Sequence, residues 1–220
     1  MKAIRVNGIS FRYKDQKEPL FSDVSFRLEK GKIAVLTGPS GSGKTTMGLC
    51  FARVIPHLIE GIFEGEVEIE GRAGMVFQDP DLQVFLPTVE DELAFAPENL
   101  CCSREETGQR ISETLEQLGI PSLREADPAR LSGGQKQLVA LGGVLTLKPD
   151  LLIMDETLSQ LDRVARERVK ELLHTLKAKG VSIILIGHDA ESREIADEVF
   201  TLKDGKLNPC FPKPEVSRFV

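Results

Sequence analysis

Residues 38–45 read Gly38-Pro39-Ser40-Gly41-Ser42-Gly43-Lys44-Thr45, a match to G-x-x-x-x-G-K-[ST]. The chemistry accounts for each residue type. Glycines let the backbone curl until successive N–H groups point inward at phosphate oxygens. A helix that begins at Lys44 adds the positive end of its dipole. The Lys44 ammonium then reaches the β- and γ-phosphates, and the hydroxyl of Thr45, with Thr46 beside it, serves Mg²⁺. A plain Gly/Ser-rich turn would share the composition. The apolar stretch 32–37 before the loop and the helical stretch 44–53 after it supply the strand–loop–helix frame that a phosphate loop requires.

Outward from the loop, the pattern changes twice. Residues 4–13 and 24–28 alternate in part and predict antiparallel strands, separated by the polar, Pro-containing stretch 14–19. Short strands are predicted at 66–70 and 73–77. A mostly helical insert is predicted over 79–130, within a helical subdomain of about 79–145. In it, Ser103-Arg104-Glu105-Glu106 reads as a capping box, and Gly119 followed by Pro121 ends the helix. A second helix starts from Ser132, and 150–154 is a strand. Residues 160–178 are helical, with Leu161, Val164, Arg168, Leu172 and Leu176 on one face. Residues 181–186 form a buried strand, and Asp204-Gly205 a hairpin turn. Strands alternating with helices predict an α/β fold: a largely parallel sheet covered on both faces, in one domain of 220 residues.

Composition narrows the function. The chain has 28 Lys and Arg against 34 Asp and Glu, a net charge of -6, with neither a basic excess nor a basic stripe, so no nucleic-acid partner is expected. No apolar run approaches the ~20 residues of a membrane-spanning helix. Met1-Lys2-Ala3-Ile4-Arg5 carries charge where a signal peptide would be apolar. Cysteines at 50, 101, 102 and 210 form no C-x-x-C pair, which predicts reduced thiols and no zinc or redox centre.

Leu151-Leu152-Ile153-Met154-Asp155-Glu156 is an apolar strand ending in two carboxylates. Alone it reads as a buried strand and an acidic turn. Beside a phosphate loop, Asp155 suits the Mg²⁺ shell and Glu156 suits a general base that polarises the attacking water. Leu131-Ser132-Gly133-Gly134-Gln135 is a capping box by its own chemistry, and it resembles the signature motif of ABC-type ATPases. Further matches fall in that family's order: Tyr13 as the aromatic that stacks on adenine, Gln78 as the glutamine linking the metal site to the helical insert, Ser159-Gln160-Leu161-Asp162 as the loop that crosses the dimer interface, and His188 as the switch histidine at the γ-phosphate. Thr157 and Leu158 replace the usual Pro or Ala, then Thr, after the catalytic glutamate.

The resemblance implies a phosphate-loop ATPase core with an antiparallel β subdomain and a helical insert. It implies two subunits, identical or related, sandwiching two ATP molecules between residues 38–45 of one and 132–134 of the other. It also implies membrane-spanning transporter subunits as partners and a peripheral place at the cytoplasmic face of the membrane. The stretch from Gln78 to Asn99 resembles the energy-coupling-factor branch, whose ATPases drive uptake of vitamins or of cobalt and nickel ions and often extend further at the C-terminus. Its Leu82, Val84, Phe85 and Leu86 are candidates for an exposed apolar contact. The alternatives are a non-transport ABC ATPase acting on nucleic acid or ribosomes, an ATPase of another transporter subclass, and a small-molecule kinase with the same loop.

Overall fold

Three runs of five apolar-rich residues, Ile33–Thr37, Leu151–Asp155 and Ser182–Ile186, are buried at every position. That pattern belongs to parallel strands covered on both faces. In the computed structural model, which describes residues 2–188 and 190–210, they are the centre of a six-stranded sheet. The strands in chain order are β1 (Lys2–Tyr13), β2 (Phe21–Glu29), β3 (Ile33–Thr37), β4 (Gly61–Ile69), β5 (Ala73–Val76), β6 (Leu151–Asp155), β7 (Ser182–Ile186), β8 (Glu198–Lys203) and β9 (Lys206–Cys210). The large sheet runs β5-β6-β7-β3-β8-β9, parallel except for β9. A second sheet, β2-β1-β4, is antiparallel.

The helices are α1 (Lys44–Phe51), α2 (Val54–His57), α3 (Val89–Asn99), α4 (Arg104–Leu118), α5 (Gly133–Thr146), α6 (Arg163–Ala178) and α7 (Ala190–Glu194). Side chains alternate across the central strands, so each face of the large sheet feeds its own core. Val35, Leu152, Met154 and Leu185 pack with Leu93, Leu115, Leu141 and Val169 from α3 to α6. Leu36, Ile153 and Ile184 pack with Met47 and Phe51 of α1 and with Phe11 and Phe26 of the antiparallel sheet. The phosphate-loop helix is thus clamped between two sheets. Within it, burial pushes the Cys50 thiol up to about 12, so Cys50 is a core residue and no nucleophile.

Several expectations shift. The strand expected at 66–70 begins at Gly61 and pairs with β1 along its length. Asp204 and Gly205 both take positive φ and close the β8–β9 hairpin. The Ser103 cap forms, but Glu106 does not return its half of the box: its Oε1 accepts from Arg110 Nε at 3.1 Å instead. On α6 the buried face is Val169, Leu172 and Leu173, whereas Val164 is 75% exposed and Arg168 lies outside as well.

Candidate functional site

Four strand ends meet at one edge of the large sheet, the C-terminal crevice where open α/β sheets place their ligands. β3 leads into the glycine loop, β6 ends in Asp155 and leads to Glu156, β7 leads to His188, and β5 to Gln78. The sheet order makes β5, β6, β7 and β3 successive neighbours, which brings residues more than a hundred positions apart to one rim.

The loop is built on two constrained glycines. Gly38 has φ 149°, and a Cβ there would meet the Leu202 carbonyl oxygen at 2.3 Å, so β8 leaves room for glycine alone. Gly43, at φ 97°, caps α1 with no side chain of its own. Pro39, Ser40, Gly41 and Ser42 span the curl. Lys44 is buried and donates from Nζ to the carbonyls of Gly38 and Pro39, at 3.0 Å each. That is two of an ammonium's three donors. The Ser42 hydroxyl is buried without a partner. Thr45 is exposed, whereas Thr46 is buried and hydrogen-bonds the Tyr13 hydroxyl at 2.9 Å. Tyr13 also stands edge-on to Phe11, with centroids 4.8 Å apart. The aromatic is thereby fixed to the first turn of the phosphate-loop helix.

Asp155 is 1% exposed, and neither carboxyl oxygen has a hydrogen-bond partner. Burial raises its pKa above the ordinary carboxylate value, and the Glu156 charge adds to this. Thr45, beside it without closing a hydrogen bond, and Lys44 pull the other way. A sealed carboxylate with orphaned oxygens next to a phosphate-loop hydroxyl is chemically fitted to a divalent cation. Glu156 follows in the left-handed region, at φ 46°. That conformation is unfavourable for a side chain with a Cβ and collects at functional turns. Its N–H still bonds Ile186 O at 2.8 Å, while Gln78 Nε2 donates to its Oε2 at 3.0 Å. His188 Nδ1 stands 3.9 Å from the other oxygen, with its side chain largely exposed. Gln78, Glu156 and His188 thus share one cluster.

Ser132 and Gln135 satisfy each other's backbone donors in a complete capping box at the start of α5. Ser132 and Gly133 are exposed, and a Cβ on Gly133 would meet nothing within 4 Å. Gly134 approaches only the Gln160 carbonyl. Asp162 caps α6 by accepting from Ala165 N at 2.9 Å. Ser132 and Gly133 of the signature turn are therefore open to solvent, while Gly134 backs onto the Gln160 carbonyl.

Two residues of the site have no role of their own in the sequence patterns: Gln160 lies inside the 159–162 stretch and Arg166 lies outside any motif. Gln160 Nε2 donates to the Gln78 carbonyl at 2.5 Å. Arg166 donates to the Leu158 and Leu161 carbonyls at 3.0 and 2.8 Å, and to Glu191 at 3.3 Å, which ties the 157–162 turn to the helix after His188. One sequence signal was there to read: Arg163 and Arg166 set positive charge at the start of a helix, against its dipole.

The profile of the family described as ABC transporter matches residues 21–159. The energy-coupling factor transporter ATP-binding protein EcfA of Methanocaldococcus jannaschii is 35% identical over 218 residues, 94% of this chain and 78% of that protein. CbiO1 of Clostridium perfringens, part of the ABC transporter complex CbiONQ, superposes with a TM-score of 0.79 and 26% identity over 94% of this chain and 87% of that one. The ATP-binding cassette MJ0796, in a dimeric post-hydrolysis state bound to ADP and Pi, superposes with a TM-score of 0.83 and 25% identity over 96% and 99%.

Proposed function

The chain belongs to the ABC transporter family, as a subunit that binds and hydrolyses ATP, and from that premise we propose that it powers a membrane importer of the energy-coupling-factor type, for vitamins or for cobalt or nickel ions. Two copies, or one copy and a related subunit, clamp two ATP molecules at composite sites. Within each site, Tyr13 stacks on the adenine. Residues 38–44 and Thr46 hold the triphosphate, with the Lys44 ammonium on the β- and γ-phosphates. Thr45, Asp155 and Gln78 through its Oε1 would hold Mg²⁺, which when bound neutralises charge on the phosphate oxygens. The partner contributes its own Ser132, Gly133, Gly134 and Gln135 from an outward-facing helix N-terminus, and its Asp162 from the interface loop.

The chemistry assigned to the chain is proton removal and charge placement. Glu156 accepts a proton from water, whose oxygen attacks the γ-phosphorus; the bond from phosphorus to the β–γ bridging oxygen breaks, and ADP leaves. Gln78 orients the Glu156 carboxylate, and His188 contacts the γ-phosphate from the opposite oxygen's side. Closure on ATP and reopening after phosphate release move the helices that follow Gln78 against a transmembrane partner at the cytoplasmic face.

The observation that carries this reading is the exposed signature turn, a capped helix start whose Ser132 and Gly133 face solvent. The branch assignment draws on the names of EcfA and CbiO1 and on an apolar rim. Leu82 is 74% exposed and Phe85 66%, with Val84 and Leu86 half-buried beside them. No described helix is long and apolar enough to cross a membrane, so membrane contact would run through such a rim. Glu156→Gln tests the mechanism. Dimers should accumulate with ATP, seen by size-exclusion chromatography, while turnover falls by about a thousandfold. Wild-type turnover in that variant removes Glu156 as the base.

A further inference from the structure

Carboxamides hold the backbone around Gln78 from three directions. Gln83 accepts from Phe77 N at 3.1 Å and donates to Met75 O at 2.9 Å, closing the free edge of β5. Gln160 holds the Gln78 carbonyl from the interface loop. Gln137, 0% exposed, donates from Nε2 to Phe77 O at 3.0 Å, and its Oε1 has no hydrogen-bond partner. A buried amide with an orphaned oxygen is a poor way to fill a core, since an apolar residue of that size would leave nothing unsatisfied on itself. What it supplies is one directed bond between α5 and the residue before Gln78.

α5 is also the helix whose first turn carries Ser132 and Gly133. A helical segment five residues long is stiff, so displacement at Ser132 is passed to Gln137. A hydrogen bond weakens once its N···O distance passes about 3.2 Å or its angle closes toward about 120°, so the Phe77 carbonyl must follow or let go. The next residue, Gln78, orients the Glu156 carboxylate at 3.0 Å. We infer that Gln137 is a positioning residue that couples the two ATP sites of the dimer: it passes the seating of the signature turn on the partner's nucleotide to Gln78 and Glu156 of its own subunit. The inference rests on the composite site proposed above.

The test is steady-state hydrolysis by the full chain over a range of ATP concentrations, in Gln137→Met, which keeps bulk without the donor, and Gln137→His, which keeps an N–H donor. Wild type should show a Hill coefficient above 1. In Gln137→Met the coefficient should fall to about 1 and kcat by about ten- to a hundredfold. KM should stay within about twofold and the melting temperature within about 4 °C. Gln137→His should regain most of kcat. Wild-type kcat and cooperativity in Gln137→Met overturn the proposal, as does loss of kcat in both variants in step with their melting temperatures. ATP-driven dimerisation of Glu156→Gln separates the two levels: without dimers the composite site itself fails, and with dimers an unaltered Hill coefficient in Gln137→Met sinks only the coupling.

Discussion

Glu156 turns the chain through a left-handed conformation at the end of β6, and such a turn persists only if its surroundings hold it. Ser159 Oγ donates to the Glu156 carbonyl at 2.7 Å, and Arg166 grips the carbonyls of Leu158 and Leu161 further along the turn. A lysine at 166 offers a point charge where a planar fork is needed. Arg166→Lys should therefore lower stability by about 1–3 kcal/mol in urea unfolding and kcat by about tenfold, with KM for ATP little changed. Tyr13 gives the complementary case, in which binding is lost and chemistry is spared. Tyr13→Ala should raise the KM for ATP by about 5- to 100-fold, the worth of one base–aromatic stack. Tyr13→Phe should stay near wild type; equal losses in the two variants would put the effect in the Thr46 hydrogen bond and not in the ring face. The residues assigned above to the nucleotide stand out in the sequence because a phosphate loop and its carboxylates need fixed types at fixed spacing. The bonds of Arg166, Gln160 and Gln137 do not: each goes to a backbone carbonyl, which any residue offers, and Gln137 and Gln160 reach theirs across 60 and 82 positions.

The helix α6 shows how a correct element can carry a wrong face. Steps of three and four residues join Leu161 to Leu172 by two routes, one through Val164 and Arg168, the other through Ala165 and Val169. Period alone does not choose between them. The core chooses, because Val169 and Leu173 complete the layer with Val35 and Leu185, while Val164 is left outside. Val169→Ala should lose about 2 kcal/mol in urea unfolding, and Val164→Ala should stay within about 0.5 kcal/mol of wild type. The far end of α6 is pinned electrostatically. Asp197 accepts from Ile33 N at 2.8 Å and from Lys177 at 2.7 Å, with Lys32 at 3.6 Å. Burial works to raise its pKa, but the Ile33 N–H and the two lysines together hold it below the ordinary value. A depressed folded-state pKa contributes stability above the unfolded pKa of about 4, lost as pH falls through the folded value. Asp197→Asn should thus be about 1–2 kcal/mol less stable than wild type at neutral pH, and the gap should narrow in unfolding curves taken at successively lower pH below the unfolded pKa of about 4.

For the molecule as a whole, the fold class was legible because three strands are apolar but for one terminal residue each, and each leads toward a motif-bearing loop. Strand partners were not legible. β4 joins β1 across some sixty residues, and β8 is a run of half-buried positions with no clean alternation. The same assembly leaves an apolar groove open between β5, α3 and α5, about 270 Å³ and lined by Val84, Phe85, Phe95, Val139 and Val144. Phe85 meets Phe95 edge to face at 5.6 Å, and Glu92 accepts from the backbone of Phe85 and Leu86, so the exposed ring is held rather than loose. A rigid aromatic beside an apolar slot has the makings of an interface anchor, whose truncation weakens a complex by about 2 kcal/mol or more, roughly thirtyfold in affinity. Phe85→Ala lies outside the nucleotide cluster. Basal ATP hydrolysis by the isolated subunit should therefore stay within about twofold of wild type, while co-purification with the transmembrane subunit proposed above, and transport by the proposed complex, should drop sharply. Full assembly and transport with Phe85→Ala would move the docking surface elsewhere and leave the catalytic reading intact.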